Sequence, residues 1–133
     1  MKKVLVLLAS CALFVVLAGF AFAEEKKIEL TSETMLLDYT RNQVDADMRY
    51  GGKEVILSGK ITSFSLTQSK EPIIYLNDYR NYNLEFKSVA CIFSKADNKE
   101  IASLRVGRMR KIQGVVDGPS GNVVLVRKCK IIK

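Results

Sequence analysis

Apolar residues recur at two different spacings along the chain, and the change of spacing divides it into predicted elements. Over residues 32–50, apolar and aromatic side chains recur every three or four positions, which predicts one α-helix. Thr31 or Ser32 can cap its start. Gly51 and Gly52 end it, because glycine takes the left-handed conformation without a Cβ clash.

After this helix, apolar positions alternate with polar ones or form short continuous runs, as is typical of strands. The five predicted strands cover residues 53–61, 73–76, 88–93, 109–116 and 123–132. A short second helix is predicted over residues 95–104, and Gly59 predicts a bulge or sharp bend inside the first strand. Polar or turn-forming connections are predicted over residues 24–30, 64–72, 77–87 and 117–122.

The order of these elements predicts the fold. Five strands with a helix between the third and the fourth are the layout of the OB-fold, a five-stranded Greek-key barrel. The predicted class is therefore all-β: a β-barrel with an N-terminal helix and a short helix between strands three and four. Because no repeat, linker or low-complexity tract divides residues 24–133, they are predicted to form a single OB-fold domain.

The first 23 residues have the composition of a signal peptide. Two lysines follow Met1, residues 4–23 are uncharged, and the stretch ends on Ala21-Phe22-Ala23, an A-x-A cleavage pattern. We expect cleavage after Ala23 and export to the periplasm or the medium. Two alternatives stay open. The segment is retained as an N-terminal membrane anchor, or Cys11 is lipid-modified.

Charge and cysteine content change when this segment is removed. The 133-residue chain has a net charge of +7, and the segment takes away two lysines and no acids, leaving +5. Cys11 leaves with it, and the even pair that remains, Cys91 and Cys129, predicts a disulfide in an exported protein. These cysteines lie on the third and fifth predicted strands, which are neighbours in an OB barrel. Two buried free thiols are the alternative.

Several motifs resemble the secreted bacterial OB-fold proteins of the tRNA-anti-like family. They are LLDY at residues 36–39, YGGK at 50–53, VILSGKI at 55–61, VACIF at 89–93, LRVG at 104–107 and VLVRKCKI at 124–131. The resemblance implies an OB barrel in the cell envelope or outside the cell, with no enzyme activity and no established nucleic-acid binding. Arg108 after Gly107 and the insertion at residues 77–87 depart from the family pattern.

Candidate binding residues lie on the second and third predicted strands and their connection, since OB-folds bind ligands there. These residues are Tyr75, Tyr79, Arg80, Tyr82 and Lys87. Aromatic rings stack on bases and cations contact phosphates, so this mixture is typical of sites for single strands. The alternative is that Tyr75 and the neighbouring Phe86 belong to the core, while Tyr79 and Tyr82 cover a loop.

A second group of candidate residues is basic. Arg108 and Arg110 alternate with Met109, so we expect them to share one outer face. The wider group contains Arg105, Arg108, Arg110, Lys111, Arg127, Lys128 and Lys130. Such a patch attracts nucleic acid, phosphorylated glycans or anionic lipid surfaces, unless it is an ordinary solvated face.

Catalytic and metal-binding constellations are absent from the sequence. The chain has no His, which excludes Ser-His-Asp and Cys-His systems and imidazole metal ligands. We therefore expect no enzyme activity, no metal and no cofactor. The expected function is a non-catalytic exported binding module for an anionic envelope ligand or an envelope protein. A single-stranded nucleic-acid binder is the alternative, possible but not favoured, because an exported protein meets little nucleic acid.

Overall fold

The structure is a computed structural model that describes residues 26–77 and 84–133. In this part of the chain, six strands and three α-helices follow one another. They are β1 (Ile28–Thr31), α1 (Ser32–Arg41), α2 (Gln43–Tyr50), β2 (Glu54–Leu66), β3 (Pro72–Leu76), β4 (Ser88–Ile92), α3 (Asn98–Ala102), β5 (Met109–Ser120) and β6 (Val123–Ile132). A short 3-10 turn, Lys95–Asp97, precedes α3.

Five of the strands close into a barrel. β2 pairs antiparallel with β3 and with β5, and β3 pairs antiparallel with β4. β4 and β6 run parallel as neighbours, and β5 with β6 completes the ring. This is the predicted Greek-key topology with a helix between its third and fourth strands, and it confirms the all-β OB-fold class. The last strand has the predicted bounds.

The prediction of a polar connection over residues 24–30 is wrong for its second half. Ile28 to Thr31 form β1, which pairs in parallel with residues 55–58 of β2. Ile28 and Leu30 are half-buried and pack against the core, so two apolar residues suffice to hold this short strand. The strand covers the part of the β2 edge that β3 leaves free, since β3 pairs with β2 only from Ile61 onward.

The predicted single helix is also wrong, because it is broken at Asn42. This residue is extended, with φ −157° and ψ 97°, and its side chain accepts a hydrogen bond from Asp45 N at 3.1 Å. Its own N–H donates to Asp38 O at 3.1 Å. Asn caps a helix better than it continues one, since its side chain competes for backbone groups. The chain therefore ends α1 and starts α2 at this position.

The bulge predicted at Gly59 lies two residues further along. Pairing with β5 is regular at Gly59, which opposes Arg110, and the register shift falls between Ile61 and Ser63. Gly59 is needed because a Cβ there would lie 2.4 Å from the Ser32 side-chain oxygen. The missing side chain thus lets the start of α1 pack directly on β2.

Helices α1 and α2 close one end of the barrel through an aromatic cluster. The fully buried Tyr39 ring lies 6.2 Å from Tyr50 and 6.0 Å from Phe86 between ring centroids. The Tyr39 hydroxyl donates to Asp47 at 3.1 Å, and the Tyr50 hydroxyl donates to Asp38 at 2.6 Å. Each tyrosine therefore joins an apolar contact to a hydrogen bond that ties one helix to the other.

Candidate ligand-binding surface

An apolar surface lies on the outside of the barrel across β3 and β4. Along β3, the inward side chains are Ile74 and Leu76, so the alternate positions Ile73 and Tyr75 lie on the outer side. The register extends two outer rows across the neighbouring strands: Ser63, Tyr75, Ala90 and Leu125, and beside them Ser65, Ile73 and Ile92. We call these seven residues the β3–β4 face.

Two of the predicted site residues are at this face. Tyr75 is half-buried at its centre, and its carbonyl accepts a hydrogen bond from the Thr62 hydroxyl at 3.3 Å. Lys87 is exposed just before β4, and its backbone N–H donates to Asn122 O at 2.7 Å. That bond joins the start of β4 to the β5–β6 turn, so Lys87 lies beside one of the loops through which OB-folds bind.

Three other predicted residues, Tyr79, Arg80 and Tyr82, lie outside the described part of the chain. Their grouping with Tyr75 stays a prediction. Phe86 is buried in the core against Tyr39, as the alternative interpretation expects for this residue.

A cleft of about 400 Å³ adjoins the face beyond Ile92. Its walls include Glu71 and Ser94 as well as the cations Arg127 and Lys128. The backbone of Lys128 has φ 53°, a left-handed conformation that interrupts the alternation of β6 and leaves its side chain exposed beside Arg127. The binding-site prediction omitted this cleft, because only the register of β4 against β6 places its walls together.

The structure does not bring Arg108 and Arg110 to the β3–β4 face. Arg108 O accepts a hydrogen bond from Ile61 N at 2.9 Å, on the side of β2 away from β3. Arg110 opposes Gly59 and shares the side of β5 that carries the buried Ile112. The expectation of a common outer face is therefore wrong for Arg110, because barrel closure makes this side of the strand the inner one.

Ion pairs neutralise part of the wider basic group. Arg127 contacts Asp117 at 2.8 Å, and the Lys130 ammonium lies 3.4 Å from Asp97. The remaining members have no carboxylate partner among residues 26–77 and 84–133: Arg105, Arg108, Arg110, Lys111 and Lys128. Within this group, the cations without a carboxylate partner thus lie on the α3–β5 connection, at the start of β5 and at the β6 bend.

Both cysteines are buried as free thiols on the neighbouring parallel strands β4 and β6. The Cys129 thiol donates to Val126 O at 3.3 Å. A hydrogen bond with Cys129, together with burial, raises the pKa of the Cys91 thiol. A raised pKa makes Cys91 a poor nucleophile at neutral pH. The disulfide between these residues stays a prediction.

Among the described residues, the structure contains neither a metal-binding cluster nor a helix that could cross a membrane. No group of three potential metal-ligating side chains occurs among residues 26–77 and 84–133. Within the same ranges, no helix has the length and apolar content needed to cross a membrane.

Comparison with known proteins agrees with this geometry. The model of the tRNA_anti-like family matches residues 1–130. The chain belongs to this family. It is therefore an OB-fold domain of the binding type, and the resemblance of its motifs to the family is confirmed. No curated protein matches the chain in sequence.

Solved structures with a similar fold include a lipoprotein from Klebsiella pneumoniae, provisionally described as nucleic acid-binding. It is 20% identical, with a TM-score of 0.62, and the match covers 79% of this chain and 92% of that one. A replication factor A related protein from Methanobacterium thermoautotrophicum is 14% identical, with a TM-score of 0.45, over 62% and 84% of the two chains. An OBody bound to hen egg-white lysozyme is 16% identical, with a TM-score of 0.49, over 83% and 98%.

Proposed function

We propose that this protein is a non-catalytic, exported OB-fold module that binds an anionic ligand of the cell envelope on its β3–β4 face. The observation that carries the proposal is the apolar centre of this face bordered by cations. Half-buried Tyr75 and Ile92 supply the centre beside Ile73, of which 9% is exposed, while Lys87, Arg127 and Lys128 lie at its borders. Apolar atoms exclude water from such a site, and cations attract the charged groups of the ligand.

The charges at the border have different strengths. Arg127 already contacts Asp117, so its attraction for a ligand is partly cancelled. Lys128 has no carboxylate partner in the described residues and lies at the cleft beside Ile92. Lys128 is therefore the border cation on which binding should depend most.

Export supports an envelope ligand over a nucleic acid. Residues 1–23 have the features of a signal peptide, and we propose cleavage after Ala23 to leave a single domain of residues 24–133 in the periplasm or outside the cell. Intact-mass measurement of protein recovered from an exporting host tests this. A mass that still includes residues 1–23 would favour the N-terminal anchor. An envelope protein with an acidic surface is the second kind of ligand that the same face would accept.

Fluorescence anisotropy with a labelled phosphorylated oligosaccharide tests the binding proposal. We expect Lys128→Gln to weaken binding and to lower its dependence on salt, because one charge contact is lost. Lys53→Gln is the matched control, since Lys53 is exposed just before β2, whose first residues pair with β5 and not with β3. Equal losses in the two variants, or no binding at low salt, would contradict the proposal.

Single-stranded nucleic acid is a second candidate, and Tyr75 favours it. An aromatic ring at the centre of a strand face can stack on a base, and the Klebsiella lipoprotein of similar fold carries a nucleic acid-binding description. Stacking is worth about 1–3 kcal/mol per base, so Tyr75→Leu should weaken oligothymidylate binding at least about fivefold. Unchanged oligothymidylate affinity in this variant would remove the second candidate.

A further inference from the structure

One end of the barrel carries most of the exposed apolar side chains. In the described residues, six large hydrophobic side chains are exposed, and four of them lie where β2 separates from β5. These four are Phe64, Leu66, Val106 and Met109, with exposed fractions of 36%, 55%, 60% and 57%. Single exposed apolar residues are ordinary, whereas four of them toward one end of the barrel can act together as an interaction surface.

The register explains why this patch is uncovered. Phe64 opposes Ile74 and Leu66 opposes Pro72, so both point to the inner side of β2 beyond the closed part of the barrel. The five-residue helix α3 covers this end only in part, and Ile101 is its buried contact. A cleft of about 680 Å³ remains, lined by Phe64, Leu66, Lys70, Pro72, Ile101 and Leu104 among others.

The segments that form this end are rich in positive charge, and Lys70 lines the cleft itself. The two segments that form this end, residues 60–71 and 98–110, contain six basic side chains and two acidic ones, Glu71 and Glu100. The basic residues are Lys60, Lys70, Lys99, Arg105, Arg108 and Arg110, and none has a carboxylate partner in the described part of the chain. We call the four apolar and six basic residues together the basic-apolar end.

The other two exposed apolar residues have the opposite surroundings. Val44 and Met48, with exposed fractions of 71% and 76%, lie on α2 beside Asp45 and Asp47. Exposure alone therefore does not distinguish the two patches, whereas charge does. The contrast supplies a matched control within the same molecule.

We propose that the basic-apolar end docks on the surface of an anionic phospholipid bilayer. Apolar side chains flanked by Lys and Arg suit the boundary between headgroups and acyl chains. The bilayer attracts each cation near it, while Phe64, Leu66, Val106 and Met109 enter the interface. The basic-apolar end has no residue in common with the β3–β4 face, although Ser65 of that face lines the cleft. The proposal does not rest on the proposed function, and variants of the two surfaces distinguish them.

Vesicle sedimentation with residues 24–133 tests the proposal. This part of the chain contains every strand of the closed barrel, whereas residues 1–23 would themselves enter a bilayer. We expect stronger partitioning onto phosphatidylcholine vesicles that contain phosphatidylglycerol than onto phosphatidylcholine alone. Raised salt should weaken the binding, because the attraction between the cations and the headgroups is screened.

Paired variants locate the contact. Leu66→Ser with Met109→Ser should lower the partition coefficient at least about tenfold, because apolar area no longer enters the interface. Val44→Ser with Met48→Ser removes similar exposed area on α2 and should leave it unchanged. Arg105→Gln and Arg108→Gln should each lower it about fivefold, with Lys53→Gln as the control. Unchanged circular dichroism and urea midpoints establish that all variants are folded.

Four results would overturn the proposal. The first is equal binding to vesicles with and without phosphatidylglycerol, and the second is equal loss in the two apolar pairs. The third is loss of vesicle binding in Tyr75→Leu or Lys128→Gln instead, which would move the contact to the β3–β4 face. The last is a dimer in gel filtration that Leu66→Ser with Met109→Ser dissociates, which would make this end an interface between two copies of the chain.

Discussion

The two ends of this barrel are closed in different ways. At one end, α1 and α2 bury Tyr39 and Tyr50 and connect their hydroxyls to carboxylates of the facing helix. At the other end, α3 has five residues, buries Ile101, and leaves a cleft beside Phe64 and Leu66. The first arrangement makes many contacts that only the folded state provides. The second leaves apolar surface in water, which stabilises nothing until something covers it.

This difference indicates a division of work along the strand β2, which runs from one end to the other. Its first half lies between β1 and β5, with Val55 and Leu57 fully buried, whereas its last residues are exposed. We therefore expect stability to concentrate at the end closed by α1 and α2, which we call the helical end. The open end, which is the basic-apolar end, and the β3–β4 face are the surfaces proposed for binding. Substitutions at the helical end should lower the free energy of unfolding, whereas substitutions at the open end should weaken binding and leave that free energy nearly unchanged.

Removing Tyr39 should have the largest effect. Tyr39→Ala deletes a fully buried ring that contacts Tyr50 and Phe86 and leaves a cavity under both helices. We expect the free energy of unfolding, measured in urea, to fall by about 3–5 kcal/mol. Tyr39→Phe, which keeps the ring, should cost only about 1 kcal/mol for the lost hydrogen bond. A loss below 1 kcal/mol for Tyr39→Ala would show that the helical end is not the stable one.

A disulfide in the barrel core would add stability to that of the helical end. If Cys91 and Cys129 pair on export, closing the loop between them should stabilise the fold by about 3–4 kcal/mol. Reduction, or Cys91→Ala with Cys129→Ala, should then lower the urea midpoint of the exported protein. Thiol titration of unreduced, denatured residues 24–133 should find no free thiol. Two free thiols would reject the bridge.

The sequence pattern predicted the strands of the barrel well, and the short strand and the helices outside the barrel poorly. Alternation and glycine positions predicted the OB-fold, and with it the position of Tyr75 on the second predicted strand. A binding role for Tyr75 stays a prediction. The pattern did not predict β1. Ile28 and Leu30 are its only apolar residues and are separated by a charged residue, so the stretch is too short to show alternation. The pattern also missed the break at Asn42, where a side-chain hydrogen bond to the backbone competes with a continuous apolar stripe.

The charges were harder to place, because pairing and closure are long-range. Arg110 alternates with Met109 in the sequence, but only the pairing of β5 with β2 shows which side is inside. Similarly, the ion pair of Arg127 with Asp117 joins residues on neighbouring strands, and it removes one cation from the free group. Local periodicity determines which residues share a side, and tertiary closure determines what that side faces.

High pH should weaken the helical end specifically. Burial and the hydrogen bond and charge of Asp47 raise the pKa of Tyr39, and burial with Asp38 raises the pKa of Tyr50. The resulting stabilisation is fully present below the unfolded tyrosine pKa of about 10 and is lost as pH rises toward the higher folded values. For a tyrosine whose folded pKa lies above the unfolded one, the loss approaches about 1.4 kcal/mol per pH unit between the two values. Urea unfolding from pH 9 to 11 should show this slope reduced in Tyr39→Phe and Tyr50→Phe, and an unchanged slope would contradict the coupling.

The smallest expected change in the free energy of unfolding is at the open end, and it tests the contrast between the two ends most directly. Leu66 is 55% exposed, so Leu66→Ser should change the free energy of unfolding by no more than about 0.5 kcal/mol. Leu36→Ala, at a fully buried position of α1, should cost about 2–5 kcal/mol in the same urea experiment. If Leu66→Ser instead costs more than 1.5 kcal/mol, the exposed side chain is part of the folded core in solution. A residue that the fold needs in that way would no longer be free to enter a bilayer.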